Sequence, residues 1–186
     1  TNAYTIIVDT VDVTAAALNT VNDATTVDVT ATDVTKISGT AAELATTYNG
    51  GGITGLGDEA IDVSNNITSS QANTVDGYTT DIVTATISTT AIGNLDDLTG
   101  TGNAYTITVD TVDVTAAALN TVNAATTVNV TATDVTKITG TIADLLITYG
   151  VGMTGLGDEK ITVSDAITYL EANTLDGYTT GVITAT

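Results

Sequence analysis

The sequence predicts an α/β repeat fold built on a parallel sheet, and three observations lead there. The chain is written twice. Asn2-Ala3-Tyr4-Thr5-Ile6 returns as Asn103-Ala104-Tyr105-Thr106-Ile107, and roughly four in five positions agree across the first ~48 aligned residues. Each copy divides again into units of about 25 residues, within the range of solenoid coils. Within those units short runs of alternating residues exchange with short helices that carry readable caps. Strand, helix, strand, helix in that order implies a parallel sheet, because a helical crossover returns the chain in the same direction.

The elements follow in order. Tyr4-Thr5-Ile6-Ile7-Val8 alternates as a strand does. Thr14 then caps a helix over Ala15-Ala16-Ala17-Leu18-Asn19-Thr20-Val21, with Leu18 and Val21 on one face. Val27-Asp28-Val29-Thr30 reads as the next strand. Thr40-Ala41-Ala42-Glu43 is a capping box, in which the Thr hydroxyl accepts from the third helical amide and the acid reaches back. Its equivalent Thr141-Ile142-Ala143-Asp144 carries an acid one carbon shorter. Ala60-Ile61-Asp62-Val63 reads as a strand, and Thr68-Ser69-Ser70-Gln71 opens another boxed helix, repeated at Thr168-Tyr169-Leu170-Glu171. Asp76-Gly77 and Asp176-Gly177 end these helices, with the glycine expected in the left-handed conformation. Ile82-Val83-Thr84-Ala85 is a strand, and a weaker helix spans Ala91 to Leu98.

The predicted domains are a first repeat copy over residues 1–101 and a second, incomplete copy over 102–186, forming one continuous solenoid. Their register slips once. Tyr48 matches Tyr149 and Gly57 matches Gly157, so one residue is lost where Gly50-Gly51-Gly52 becomes Gly150-Val151-Gly152, as an exposed loop permits. Helix placement stays open. Strands sit about 4.8 Å apart and packed helices 8–10 Å apart. Helices on one side would force a horseshoe curve. Helices alternating between faces would match the spacing in a straight rod, but every second crossover would then be left-handed, which is disfavoured.

Composition narrows the function. The formal charge is −19, from 22 acidic residues against three lysines (Lys36, Lys137 and Lys160), with no Arg. Phosphate affinity needs clustered Lys or Arg, so nucleic-acid binding is not expected. An anionic membrane would repel the chain, and no transmembrane run is present. Cations are the favoured partners. Thr makes up about a quarter of the residues, and Phe, Trp, Pro and Cys are absent. The core must be built from Val, Ile, Leu and Ala in narrow layers. Scarce Lys and Arg beside abundant Thr suggest an extracellular bacterial surface protein. The chain begins within one repeat and stops within the next, which suggests a piece of something longer.

Val34-Thr35-Lys36-Ile37-Ser38-Gly39-Thr40-Ala41-Ala42-Glu43, Gly52-Ile53-Thr54-Gly55-Leu56-Gly57-Asp58-Glu59-Ala60 and Asn73-Thr74-Val75-Asp76-Gly77 resemble the long repeats in very large secreted surface proteins of marine bacteria, cyanobacteria especially. The resemblance covers essentially the whole chain. It implies extended stalks and adhesive or layer-forming surfaces.

Three chemistries compete with a purely structural role. Gly55-x-Gly57-Asp58 and Gly155-x-Gly157-Asp158 resemble part of the glycine-aspartate nonapeptide of repeats-in-toxin proteins, which makes Asp58, Glu59, Asp158 and Glu159 candidate calcium ligands. The phrase occurs once per ~100 residues and not in tandem, and the competing reading is a turn in which Gly supplies φ > 0 and Asp bonds local amides. Asp9, Asp12, Asp110 and Asp113 are further conceivable oxygen ligands. Thr30-Ala31-Thr32, Thr84-Ala85-Thr86, Thr131-Ala132-Thr133 and Thr184-Ala185-Thr186 invite an ice-binding Thr ladder, against ordinary strand Thr on a half-buried sheet. Catalysis lacks its usual groups, since there is no His, Cys or Arg. Lys36 and Lys137 suggest local ion pairs with Asp33 and Asp134.

The expectation is therefore a structural extracellular repeat protein (stalk, surface-layer or filament subunit) without catalytic activity or a cofactor, calcium apart. It would associate head to tail or continue in a longer repeat chain. The alternative is a calcium-dependent adhesin or an ice-binding module.

Overall fold

The computed structural model describes residues 2–150 and 152–185, so Val151 of the predicted loop change and Thr186 of the last Thr-Ala-Thr lie outside the described residues. The chain divides into two compact units, residues 1–86 and 87–186. That boundary falls ahead of the 101/102 boundary of the sequence repeat.

The first unit runs β1 (Asp12–Thr14), α1 (Ala15–Asp23), β2 (Val29–Thr30), β3 (Lys36–Gly39), α2 (Ala41–Asn49), β4 (Ile53–Thr54), β5 (Ala60–Val63), α3 (Ser69–Asp76) and β6 (Val83–Thr86). It is α/β with parallel pairing throughout these strands. β1, β3, β5 and β6 lie side by side in sequence order, with Asp12 against Lys36, Lys36 against Ala60 and Ile61 against Val83. The step is 24 residues, then 22. A second, two-stranded sheet pairs Val29 of β2 with Ile53 of β4, again 24 residues on. Each turn of chain thus places a strand in one sheet, then a helix, then in its first two turns a two-residue strand in another sheet.

Helix placement is decided within each unit. α1 packs on α2 and α2 on α3, so consecutive helices are neighbours and do not alternate between faces. Between the strands and helices lies a dry layer of small aliphatic residues: Leu18 and Leu44 from the helices, Val29, Ile37, Ile61 and Val83 from the strands, all at 2% exposure or less. Leu18 and Leu44 are fixed to that side because their helices begin where Thr14 and Thr40 cap them. Thr14 accepts from the Ala17 amide at 3.2 Å. At Thr40 the full capping box is present, the Glu43 carboxylate accepting from the Thr40 amide at 2.8 Å. The Thr68–Gln71 and Thr168–Glu171 boxes are also complete. Asp144, though shorter, accepts the Thr141 hydroxyl at 2.7 Å.

A polar clamp ties helix to helix. Asn19 of α1 donates to the Glu43 carbonyl at 3.0 Å, and Thr47 of α2 donates to the Asn19 side-chain carbonyl at 2.9 Å. The first amide of α2, at Ala41, is capped by Asn65 from the following turn at 2.9 Å. So a helix end is satisfied by its neighbour and a lone turn would leave it open.

The second unit repeats the plan: α4 (Ile92–Leu95), β7 (Ala104–Thr106), β8 (Asp113–Thr115), α5 (Ala116–Ala124), β9 (Val130–Thr131), β10 (Lys137–Gly140), α6 (Ile142–Gly150), β11 (Met153–Thr154), β12 (Lys160–Val163), α7 (Tyr169–Asp176) and β13 (Ile183–Thr184). β8, β10, β12 and β13 form one parallel sheet, and β9 pairs with β11 in another. The clamp recurs as Asn120, Asp144 and Thr148, and the cap from the following turn as Asp165 on Ile142.

Several expectations change. Tyr4–Val8 holds one isolated bridge, Ile7 to Thr30, and not a strand, whereas its counterpart gives β7. The strand expected over Val27–Thr30 shortens to β2, because Val27 turns outward. The helix expected over Ala91–Leu98 is one turn, Ile92–Leu95. Gly77 and Gly177 are right-handed (φ −69° and −78°) and stop their helices without the left-handed cap. The lysines pair across strands: Lys36 with Asp62 at 2.7 Å and Lys137 with Asp113 at 3.6 Å, since in-register strands bring those acids nearer than Asp33 or Asp134. Both pairs are solvated and contribute little to stability.

Candidate functional site

The predicted site residues Glu59 and Glu159 occupy the most unusual polar positions in the described chain, since each is a carboxylate at 0% exposure. Built outward from Glu59, the surroundings supply a partner for each of its carboxyl oxygens. The turn between β4 and β5 carries Gly55 at φ +86° and Gly57 at φ +130°, conformations that glycine reaches without the Cβ clash. That turn folds the Glu59 side chain inward and back over its own backbone. Its Oε2 accepts from the Gly57 amide at 2.8 Å and from the Asp58 amide at 3.2 Å. Its Oε1 accepts the hydroxyl of Tyr48, which hangs from the last turn of α2. Three donors thus meet two oxygens, as burial of a carboxylate requires.

The next turn of chain locks this cluster. Tyr78, just after α3, stacks on Tyr48 with ring centroids 4.7 Å apart and planes 5° from parallel. Thr79 donates its hydroxyl to the Glu59 carbonyl at 2.6 Å, and the Thr80 amide donates to the Gly57 carbonyl at 2.9 Å. The second unit reproduces every part. Glu159 accepts from Tyr149, from the Gly157 amide at 2.7 Å and from the Asp158 amide at 3.2 Å. Tyr149 stacks on Tyr178 at 5.1 Å, and Thr179 donates to the Glu159 carbonyl at 2.7 Å.

The neighbouring predicted ligands go elsewhere. Asp58 and Asp158 are exposed while Glu59 and Glu159 are buried, so adjacent acids point apart. The turn's amides are taken by the glutamate and not by the aspartate, because only the longer side chain reaches inward and returns. Among the described residues no three His, Cys, Asp or Glu side chains gather as a metal cluster would need. Asp110 accepts from the Thr90 hydroxyl, and Asp113 pairs with Lys137. The Thr motifs also part company: Thr30 lies in β2 against Thr54, and Thr84 lies in β6 against Asp62, in a different sheet.

Tyrosines were legible only as register markers. The signal for their role was present all the same, since Tyr48, Glu59 and Tyr78 all recur as Tyr149, Glu159 and Tyr178 in a chain with seven aromatic residues.

Burial, and then the hydrogen bond to Glu59, raises the ionisation of Tyr48 well above the ordinary tyrosine range, and Tyr149 is raised likewise. A raised folded value means the stability from neutral Tyr48 is intact below the unfolded value of about 10 and is lost as pH climbs above it. In an alkaline titration followed by tyrosine absorbance, Tyr48 and Tyr149 should ionise only as circular dichroism is lost. Tyr48→Phe and Tyr149→Phe should each shrink that late step. Ionisation of both with the free tyrosines, at unchanged dichroism, would show the hydroxyls are not held this way.

No family model, curated protein or solved structure matches this chain.

Proposed function

We propose that the chain is a structural repeat protein, an extracellular α/β solenoid serving as a stalk, surface layer or filament subunit, without catalytic activity. The observation that carries this reading is the coil-on-coil register. Asp12, Lys36 and Ala60 stand in line across β1, β3 and β5, and each turn hands its polar groups to the next. The helix clamp, the cap from the following turn and the Thr79 hydroxyl on the Glu59 carbonyl all place hydrogen bonds between successive turns. Repeats built this way contact mainly their neighbours, so stability grows by addition along the array.

Other features agree. Glu59 and Glu159, the acids with the most specific surroundings, are sealed from any substrate. The described residues hold no helix long and apolar enough to cross a membrane. A charge of −19 keeps neighbouring arrays apart unless cations bridge them.

Electron microscopy of tandem fusions tests the reading. Two and three chains joined end to end should give particles whose length rises in proportion at constant width. Particles that instead remain compact clusters of beads would sink the solenoid.

A further inference from the structure

The two copies differ in one respect that their sequences do not explain. In the second copy Tyr105, Ile107 and Val109 are at 1% exposure or less, and Asn103 is buried. In the first copy Tyr4 is 52% exposed, Ile6 and Val8 are half-buried, and Asn2 is exposed. The residues are the same.

What covers the second copy is visible within its own unit. The segment Ile87–Leu98 lies against it: the Ile87 amide donates to the Thr106 carbonyl at 3.0 Å, and the Asp110 amide donates to the Thr90 carbonyl at 3.1 Å. The Ile92 amide, opening α4, donates to the Thr111 hydroxyl at 2.9 Å, and α4 packs on α5. Ile87, Leu95 and Leu98 are buried there. The first copy keeps the receiving groups unchanged as Thr5, Asp9 and Thr10, together with the apolar Tyr4, Ile6 and Val8.

We infer that the face formed by Asn2–Val13 is a docking surface for one kind of partner, a strand-and-helical-turn segment of the Ile87–Leu98 type. The occupant is specified by both chemistries. It must bring backbone donors and acceptors to Thr5, Asp9 and Thr10, and place two or three aliphatic side chains over Tyr4, Ile6 and Val8. This rests on the coil-on-coil reading above and adds the identity of the partner.

The test places a second copy of residues 87–101 ahead of residue 1 in the full chain and follows amide hydrogen exchange by mass spectrometry. Exchange over residues 2–14 should slow by about tenfold or more. The same extension carrying Ile87→Asp, Ile92→Asp and Leu95→Asp in the added segment should leave those amides fast. Equal exchange over 2–14 in the two extended chains would overturn the docking surface. Residues 103–114 report on the underlying reading: they should be slow in every version. If they exchange as fast as 2–14 of the unextended chain, the coil-on-coil arrangement itself fails.

Discussion

Replacing Glu59 with Ala should destabilise the protein by about 3 kcal/mol, which for a chain of this size is a drop in melting temperature of roughly 6–12 °C. The change leaves the Tyr48 hydroxyl and the Gly57 amide without their acceptor in a half-buried place, and opens a cavity where a fully buried side chain stood. Glu159→Ala should cost the same, because Tyr149 and Gly157 are arranged identically. Asp58→Ala should change stability by less than about 0.5 kcal/mol, since its side chain is exposed. Calorimetry in chelator and in millimolar calcium separates this latch from a calcium site. A latch gives the same Glu59→Ala loss in both solutions. An ion held by Asp58 and Glu59 would raise the wild-type melting temperature in calcium, and Asp58→Ala would abolish that rise.

Gly155→Ala should cost a similar amount, about 3 kcal/mol. Gly155 sits at φ +86°, where an L side chain is strained by about 1–2 kcal/mol. A Cβ there would also stand 2.9 Å from both the Cα and the backbone nitrogen of Thr133, and backbone cannot move aside as a side chain can. Gly55, at φ +86° against Thr32, should respond likewise. Gly93 provides the contrast. It lies in α4 with nothing near its Cβ position, so Gly93→Ala should be neutral or stabilise by up to about 1 kcal/mol. Urea unfolding measures all three. A Gly155→Ala loss below that of an ordinary surface substitution would mean that this turn does not pass so close to the preceding one.

These two effects mark where sequence reading worked and where it stopped. The Gly-x-Gly-Asp-Glu phrase was recognisable as a turn needing φ > 0, and Glu59 stood among the candidate residues. Which acid faces inward was not legible, because Asp58 and Glu59 differ by one carbon and only the path of the turn selects between them. Tyr48 and Tyr78 are 30 positions apart, and their stacking depends on two successive turns of chain lying in register.

By itself the sequence determined the local grammar: the duplication, parallel α/β order, the helix starts at Thr14, Thr40 and Thr68, and an aliphatic core without large aromatics. Those features are set by contacts within a few residues, where side-chain type and spacing are sufficient. Only the tertiary structure decided that consecutive helices are neighbours, that a second short sheet runs through β2 and β4, and that the lysines reach Asp62 and Asp113. It also decided that the nearly identical segments at Tyr4 and Tyr105, which differ at Ile7 against Thr108, differ in exposure. Each of those depends on what the adjacent turn of chain supplies, some 24 residues away, and a repeated sequence repeats the demand without stating which neighbour meets it.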